Sequence, residues 1–173
     1  INLNVTSEIA TLINEVDGGT IKNLGINNCT FENTSGRYAG SIAATAIGAS
    51  FENIIVGPAT SIGGSYEYSG GVVGYAIESV FTNVANYAPV VNDTSSTSSF
   101  SGGIVGYSEG SYFTQIYNEG DIVSHNAITG GIAGGLVLQT NTTDYNEFSY
   151  VYNQGAVLSK SVHGGFFGYD LAS

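Results

Sequence analysis

Carboxylate pairs are the first place to look for chemistry in this chain, because glycoside hydrolysis needs two acidic side chains at a defined separation. Two pairs lie close together in the sequence, Glu119 with Asp121 and Asp144 with Glu147. Neither pair recurs along the chain or lies among other reactive groups. We therefore interpret all four as solvated charges in turns, and we predict no catalytic residues and no enzymatic activity.

Metal and cofactor sites are also not predicted. His125 and His163 have no cysteine or second histidine near them in the sequence, which disfavours a transition-metal site. A polar segment, Gln139–Asn146, could offer oxygens to Ca²⁺, but it lacks the glycine-hinged ligand spacing of known calcium loops. The oxygen-bearing side chains in and beside that segment are Asn141, Asp144, Asn146 and Glu147.

Cationic side chains are scarce. Lys22, Arg37 and Lys160 are the only lysines and arginines, against 14 acidic residues, for a net charge of −11. Nucleic acid is excluded as a predicted partner, because binding it depends on neutralising phosphates with Lys and Arg. An anionic membrane surface is disfavoured for the same reason. No apolar run is long enough to predict membrane insertion.

Tyrosines are the most interesting polar feature. Tyr75, Tyr107 and Tyr169 follow the same short motif, and Tyr117 and Tyr152 share a second recurring position. A row of tyrosines can bind glycans through ring stacking and hydroxyl hydrogen bonds. The alternative, which we favour, is an aromatic ladder that stabilises the fold.

Glycosylation signals point to an extracellular or cell-surface location. Five Asn-x-Ser/Thr sequons occur in a chain that is poor in lysine. The lone Cys29 excludes an internal disulfide, and we predict that it is a small buried apolar residue. The sequon asparagines are Asn4, Asn28, Asn33, Asn92 and Asn141.

These residues recur in a frame that identifies the architecture. The phrase Gly102-Gly103-Ile104-Val105-Gly106-Tyr107 has a second copy at Gly70 and a third at Gly164. A copy at Gly130 lacks the tyrosine, and one at Gly40 is degraded. The copies start at 40, 70, 102, 130 and 164, which are 30, 32, 28 and 34 residues apart. Such a period is typical of repeats that stack on their neighbours.

Each repeat contains three short apolar segments: a Gly-Gly-apolar-apolar-Gly strand, an aromatic block such as Phe81-Thr82-Asn83-Val84, and a short strand such as Val90-Val91. Three β segments per period predict an all-β parallel β-helix of about five to six coils of roughly 30 residues. We treat residues 1–173 as a single β-solenoid domain. Its coils start near 10, 40, 70, 102, 130 and 164, and the last is incomplete. A capping helix over Ser7–Val16 is the alternative for the first coil.

Two further expectations follow from the repeat phase. Amides that share a position should stack along the axis, in one column of Asn23, Asn53, Asn83 and Gln115 and another of Asn86, Asn118 and Asn153. In addition, a strand can turn only one of two consecutive apolar residues inward. The second must then be covered by something, and we expect a lateral or end-on neighbouring molecule to do so. The pairs concerned are Val72-Val73, Ile104-Val105 and Phe166-Phe167.

The repeat resembles the GLUG motif. Gly102–Val123 and Gly70–Val91 carry the resemblance best, and Gly18–Ile26 is similar to its usual wording. It spans the chain from about Ala10 to Tyr169, although Gly135 replaces the tyrosine of the fifth copy. The resemblance implies a large extracellular or cell-surface β-solenoid, such as an adhesin or a non-catalytic region of a secreted peptidase, and it implies no catalytic residues.

We therefore expect a structural protein, a subunit or segment of a surface fibre whose coils stack head to tail with further copies of the chain. The alternative is an adhesin that binds glycans or a cell surface. A weaker alternative is a β-helix enzyme acting on acidic polysaccharides. Such an enzyme needs cations to hold uronate carboxylates, and this chain has only three Lys or Arg residues.

Overall fold

The computed structural model describes residues 3–7, 10–137 and 145–171. These residues form β-strands joined by turns and contain no helix. Every strand pairing between coils is parallel. The predicted parallel β-helix with strands repeating about every 30 residues is confirmed.

Three sheets form the sides of the coils. Sheet 1 follows the glycine phrase and contains β2 (Ile13–Asp17), β5 (Ala43–Ile47), β8 (Val73–Ile77), β12 (Val105–Glu109), β16 (Ala133–Val137) and β20 (Phe167–Leu171). Sheet 2 holds the aromatic blocks and contains β3 (Thr20–Ile26), β6 (Ser50–Val56), β9 (Val80–Asn86), β13 (Tyr112–Asn118) and β17 (Glu147–Asn153). Sheet 3 contains β1 (Leu3–Ser7), β4 (Cys29–Gly40), β7 (Ser61–Gly70), β10 (Val90–Asn92), β11 (Phe100–Gly102), β14 (Ile122–Ser124), β15 (Ile128–Gly130), β18 (Val157–Ser159) and β19 (His163–Gly164).

Inward-facing side chains form columns that run along the axis. In sheet 2, Phe51, Phe81, Phe113 and Phe148 stack with ring centroids 5.0, 4.8 and 4.6 Å apart and nearly parallel planes. The spacing follows from the separation of about 4.8 Å between paired strands, which brings in-register rings to stacking distance. A second column of this sheet is Leu24, Ile54, Val84, Ile116 and Val151.

The glycine phrase is a corner rather than a strand, which corrects the prediction. Gly102 ends β11, the chain turns through Gly103 and Ile104, and β12 begins at Val105. A Cβ on Gly102 would lie 2.1 Å from the carbonyl oxygen of Val105, so this corner accepts only glycine. The amides of Ile104 and Val105 both donate to the carbonyl of Ile132 in the next coil, at 2.9 and 3.1 Å.

The corner also overturns the expectation that a neighbouring molecule must cover the second apolar residue of each pair. Val72, Val73, Ile104 and Val105 are all fully buried within the chain. The strand alternation does not apply, because the first residue of each pair lies in the turn before the strand begins. Only Phe166, in the last described coil, is 44% exposed.

The first coil is confirmed as a coil, and the capping-helix alternative is wrong. β2 pairs in parallel with β5, with Ile13 opposite Ala43 and Val16 opposite Ala46. Ser7 lies in strand β1, and residues 8 and 9 fall outside the described residues. Cys29 is buried, as predicted.

The exposed amide column is confirmed on sheet 2 from Asn23 to Asn83. Asn53 Nδ2 donates to Asn23 Oδ1 at 2.9 Å, and Asn83 Nδ2 donates to Asn53 Oδ1 at 2.8 Å. The backbone at Asn23, Asn53, Asn83 and Gln115 has a positive φ of 53° to 57°. Tyr150, at the same repeat position in the next coil, has a φ of 55°. Asparagine adopts this conformation more easily than most residues. It therefore suits both the left-handed backbone at these positions and the side-chain hydrogen bonds of the column.

The second amide column is buried. Asn86 Nδ2 donates to Asn118 Oδ1 at 2.9 Å, and Asn118 Nδ2 donates to Asn153 Oδ1 at 2.8 Å. Each amide also closes its own turn, since Asn86 donates to the carbonyl of Ala88 and Asn118 to that of Gly120. These bonds satisfy the amides in the interior, where an unpaired polar group would be costly.

Candidate functional site

Five aromatic rings form a partly exposed cluster at the corner between sheets 3 and 1. We name Tyr38, Tyr68, Phe100, Tyr75 and Tyr107 the outer aromatic cluster. Only Tyr75 and Tyr107 were identified from the sequence. The other three each stand two residues before the first glycine of the repeat phrase, a recurrence that could have revealed them.

The rings of this cluster cover one another. Tyr75 stacks on Tyr38 at 5.8 Å and on Tyr68 at 5.5 Å, and Phe100 stacks on Tyr68 at 5.8 Å. A sugar platform needs an open ring face. The stacking of Tyr75 on Tyr38 and Tyr68 occupies ring faces within the cluster, which supports the ladder interpretation at Tyr75.

Charged groups border the cluster. Arg37 forms a two-bonded ion pair with Glu67, in which Arg37 Nη2 lies 3.2 Å from Glu67 Oε1. The bond from Arg37 lowers the pKa of Glu67. Burial raises the pKa of Tyr68 to about 12, and the hydrogen bond with Glu67 adds to this effect. Burial, together with the hydrogen bond to Glu109, also raises the pKa of Tyr75.

The tyrosine file of sheet 1 is interrupted. The residues in register are Tyr75, Tyr107, Gly135 and Tyr169. Gly135 separates Tyr169 from Tyr107 by a full coil, and Tyr169 is 42% exposed. The five tyrosines proposed from the sequence as a glycan platform therefore do not form one continuous surface.

The remaining pair lies on sheet 2. Tyr117 and Tyr152 stack with centroids 5.5 Å apart and planes 7° apart. The Tyr117 hydroxyl lies 2.7 Å from Gln154 Oε1 and 3.0 Å from Glu119 Oε2. The stacked rings and the hydrogen-bonded hydroxyl favour the interpretation of this pair as an aromatic ladder over an open glycan platform.

The sequons differ in accessibility. Asn4 and Asn28 are exposed, whereas Asn92 is fully buried. Asn92 Nδ2 donates to Ser101 Oγ at 2.9 Å and to Ser69 Oγ at 3.2 Å, so its amide faces the interior, unlike the amides of Asn4 and Asn28. The side chains of Asn33 and Asn141 lie outside the described residues.

Among the candidate catalytic and calcium-binding residues, Asp121 and Asn146 form hydrogen bonds within the fold. Asp121 Oδ1 accepts the amide of Ala156 at 2.9 Å. Asn146 Oδ1 accepts from the hydroxyl and the amide of two serines, Ser108 and Ser111. Asp144 lies outside the described residues. Among the residues described, no three His, Cys, Asp or Glu side chains are grouped to bind a metal.

Gly106-Tyr107-Ser108-Glu109-Gly110 has the G-x-S-x-G spacing of a nucleophile elbow, in which the serine lies on a sharp strand-to-helix turn. Ser108 lies inside strand β12 instead, and its hydroxyl is bonded to Asn146 at 2.8 Å. The elbow geometry is therefore not present.

A groove on the outside of sheet 3 brings together residues that looked unrelated in the sequence. It measures about 450 Å³ and lies beside β14 and β18. His125 and His163 both line it, although the sequence suggested that neither histidine has a second one nearby. Their proximity is visible only in the fold, because the two histidines come from successive coils and from different repeat positions. The other polar lining residues are Asp93, Ser124, Ser159 and Lys160.

Comparisons with known proteins add no assignment. No protein-family model and no curated protein sequence matches the chain. In the part of the chain that the structure describes, no helix has the length and apolar character to cross a membrane.

Proposed function

We propose that this chain is a non-enzymatic structural element of an extracellular or cell-surface β-solenoid, related to GLUG-repeat proteins, and that it joins further copies end to end. The observation that supports the proposal is the match between the two ends of the described solenoid. β2 and β3 are the outermost strands of sheets 1 and 2 at one end, and β20 and β17 are their counterparts at the other.

The outermost strands have equal lengths in each sheet. β3 and β17 have seven residues each, and β2 and β20 have five each. Both ends leave parts of their interior columns open to solvent, since Ile21 and Leu24 at one end and Phe148 and Val151 at the other are only partly buried. Unpaired strand edges above an apolar cross-section favour association.

The register of a stacked copy follows from the columns. Ile21 is the first member of the phenylalanine column and Phe148 the last. A second copy that places its Ile21 on Phe148 and its Leu24 on Val151 would continue both columns and both sheets. The net charge of −11 opposes this contact, so association should strengthen when salt screens the repulsion.

Analytical ultracentrifugation and electron microscopy of the 173-residue chain test the proposal. We expect concentration-dependent linear oligomers that increase with NaCl, and a loss of oligomers when Leu24→Glu places a charge in the open column at one end. Val123→Glu, on the lateral face, is the matched control and should leave assembly unchanged. A chain that stays monomeric at all salt and protein concentrations would refute end-to-end stacking.

The glycan-binding alternative gains no support from the tyrosine positions, because Tyr75 packs against Tyr107 and Tyr117 against Tyr152, while Tyr169 lies a full coil away from Tyr107. The weaker enzymatic alternative is supported by no group of side chains in the described residues. A recognition role would need a different surface.

A further inference from the structure

The groove beside β14 and β18 has an apolar floor. Val123 and Leu158 are register partners on these two strands, and both turn outward, with 37% and 57% of each residue exposed. Inward-facing Ile122 on the same strand is fully buried. The floor is therefore a small apolar patch on the outward face of sheet 3, and it includes β18, the outermost strand of that sheet.

Basic groups converge on this groove. The whole chain has only five basic side chains, namely three Lys or Arg and two His. Three of the five, Lys160, His125 and His163, line the groove. This concentration stands out in a protein with a net charge of −11.

The ammonium of Lys160 forms no ion pair with the residues that the structure describes. Within the described residues the only ion pair is Arg37 with Glu67. Lys160 Nζ lies 3.4 Å from His125 Nε2, and it retains further N–H donors, because an ammonium has three. A cation with free donors above an apolar floor favours an anionic ligand with an apolar face.

We propose that this groove binds the carboxylate of an acidic sugar. Lys160 holds the carboxylate, while His125 Nε2 accepts one of its N–H groups and orients the ammonium, and the C–H face of the ring lies on Val123 and Leu158. Asp93, which also lines the groove, accepts hydrogen bonds from sugar hydroxyls and repels a second negative charge. One lysine beside one aspartate therefore suits a single carboxylate better than a phosphate, which carries more charge and needs more donors.

A metal ion is a poorer ligand for the groove. The nitrogen of His125 that would bind a metal faces an ammonium group, and a second cation there would be repelled. The histidines also lack a third protein ligand, since the described residues include no suitable group of three.

NMR titration at pH 7 of the full chain, at a concentration at which it is monomeric, tests the site with three probes: methyl glucuronide, its neutral counterpart methyl glucoside, and hexanoate. We expect the glucuronide to shift amides of β14 and β18 and to bind about tenfold more tightly than the glucoside, since a charged hydrogen bond contributes about 1.4 kcal/mol or more. Hexanoate has the charge without the hydroxyls and should bind more weakly.

Two charge-matched variants separate the groove from general electrostatics. Lys160→Gln should weaken glucuronide binding by about tenfold, while Lys22→Gln, outside the groove, should leave it unchanged. Equal binding of glucuronide and glucoside, or equal losses in the two variants, would overturn the carboxylate site. Equal binding of hexanoate and glucuronide would overturn the sugar assignment. Failure of end-to-end assembly would not affect any of these outcomes.

Discussion

Tyr107 and Gly135 are register partners on adjacent strands of sheet 1, and the ring of Tyr107 occupies the space that a side chain at Gly135 would need. A Cβ on Gly135 would come within 2.6 Å of both Tyr107 Cδ2 and Phe100 Cδ1. The missing tyrosine of the fifth repeat therefore allows the edge-on packing of Phe100 against Tyr107, whose planes meet at 64°.

Gly135→Ala should destabilise the fold by about 1–2 kcal/mol, because the new methyl group would push both rings out of place. Gly25→Ala is the matched control in a strand, since no atom lies within 4 Å of a Cβ there. It should be neutral or stabilise the protein by about 0.5 kcal/mol through a less flexible unfolded chain. Urea denaturation measures both. A second substitution, Phe100→Ala, should reduce the cost of Gly135→Ala, and equal costs in both backgrounds would contradict the packing described.

The buried amide column should contribute more stability than the exposed one. Asn118→Ala removes three hydrogen bonds at a fully buried position and takes one side-chain partner from each of Asn86 and Asn153, so we expect a loss of about 3 kcal/mol. Asn83→Gly breaks the exposed column but keeps the positive φ of 54° accessible, and should cost less than about 1 kcal/mol. Chemical denaturation of both variants decides. Equal losses would mean that the columns are equivalent.

The phenylalanine column should be sensitive at its centre. Phe113 is 1% exposed and lies between Phe81 and Phe148, so Phe113→Ala should cost about 4 kcal/mol through lost burial and a cavity. Its neighbour Tyr112 points outward and is 40% exposed. Tyr112→Ala should cost less than about 1 kcal/mol. Thermal unfolding of the two variants should reproduce this order, and the reverse order would place the wrong face inside.

Stability should fall at alkaline pH. The pKa of Tyr68 is raised to about 12 in the folded chain, against an ordinary value of about 10, so the folded state holds this proton more tightly than the unfolded state. The contribution is complete below about pH 10 and is lost as the pH rises towards about 12. Tyr68→Phe should flatten the decline in the urea midpoint over this window. Tyr150→Phe, at a residue that is 83% exposed, is the control, and an identical decline in all three proteins would contradict the prediction.

Assembly should depend on one carboxylate. Asp170 occupies the position that Leu136, Ser108 and Ala76 hold in earlier coils, at the outermost strand of sheet 1. A stacked copy would place its Val16 there, and covering an unpaired carboxylate is unfavourable. Asp170→Asn should therefore promote oligomers at pH 7, and Asp121→Asn, on a lateral turn, should change assembly much less. Sedimentation velocity measures the difference. If the two variants assemble equally, Asp170 does not limit stacking.

The repeat spacing was sufficient to predict the solenoid, because parallel in-register strands bring residues about 30 positions apart into contact. Asn53 with Asn83 and Asn86 with Asn118 could be paired by counting alone. The corner at Gly102 could not be predicted, since the sequence period does not show where a strand ends. The period alone therefore predicts a strand at Ile104, where the structure has a turn. The burial of Asn92 could not be predicted either, because Asn92 and its partners Ser69 and Ser101 lie on three different strands.

The groove residues were not predicted, because the longer spacing of these two coils hides their common position. His125 and Lys160 directly follow the register partners Ser124 and Ser159 and so share a repeat position, but they are 35 positions apart. Composition makes the groove notable once the fold is known. Basic residues are so rare in this chain that the proximity of three of them is informative.

The hydrogen bonds that join successive coils run along the axis of the solenoid, which gives the molecule a mechanical character. Tension applied between its two ends would load the outermost row of bonds first and leave the rows behind it intact. Coils would then detach one after another, each releasing about 30 residues, or roughly 100 Å of extended chain. A tether built this way lengthens in steps and dissipates work at each one, and a released coil can pair again on the template of the coil beneath it when the load falls.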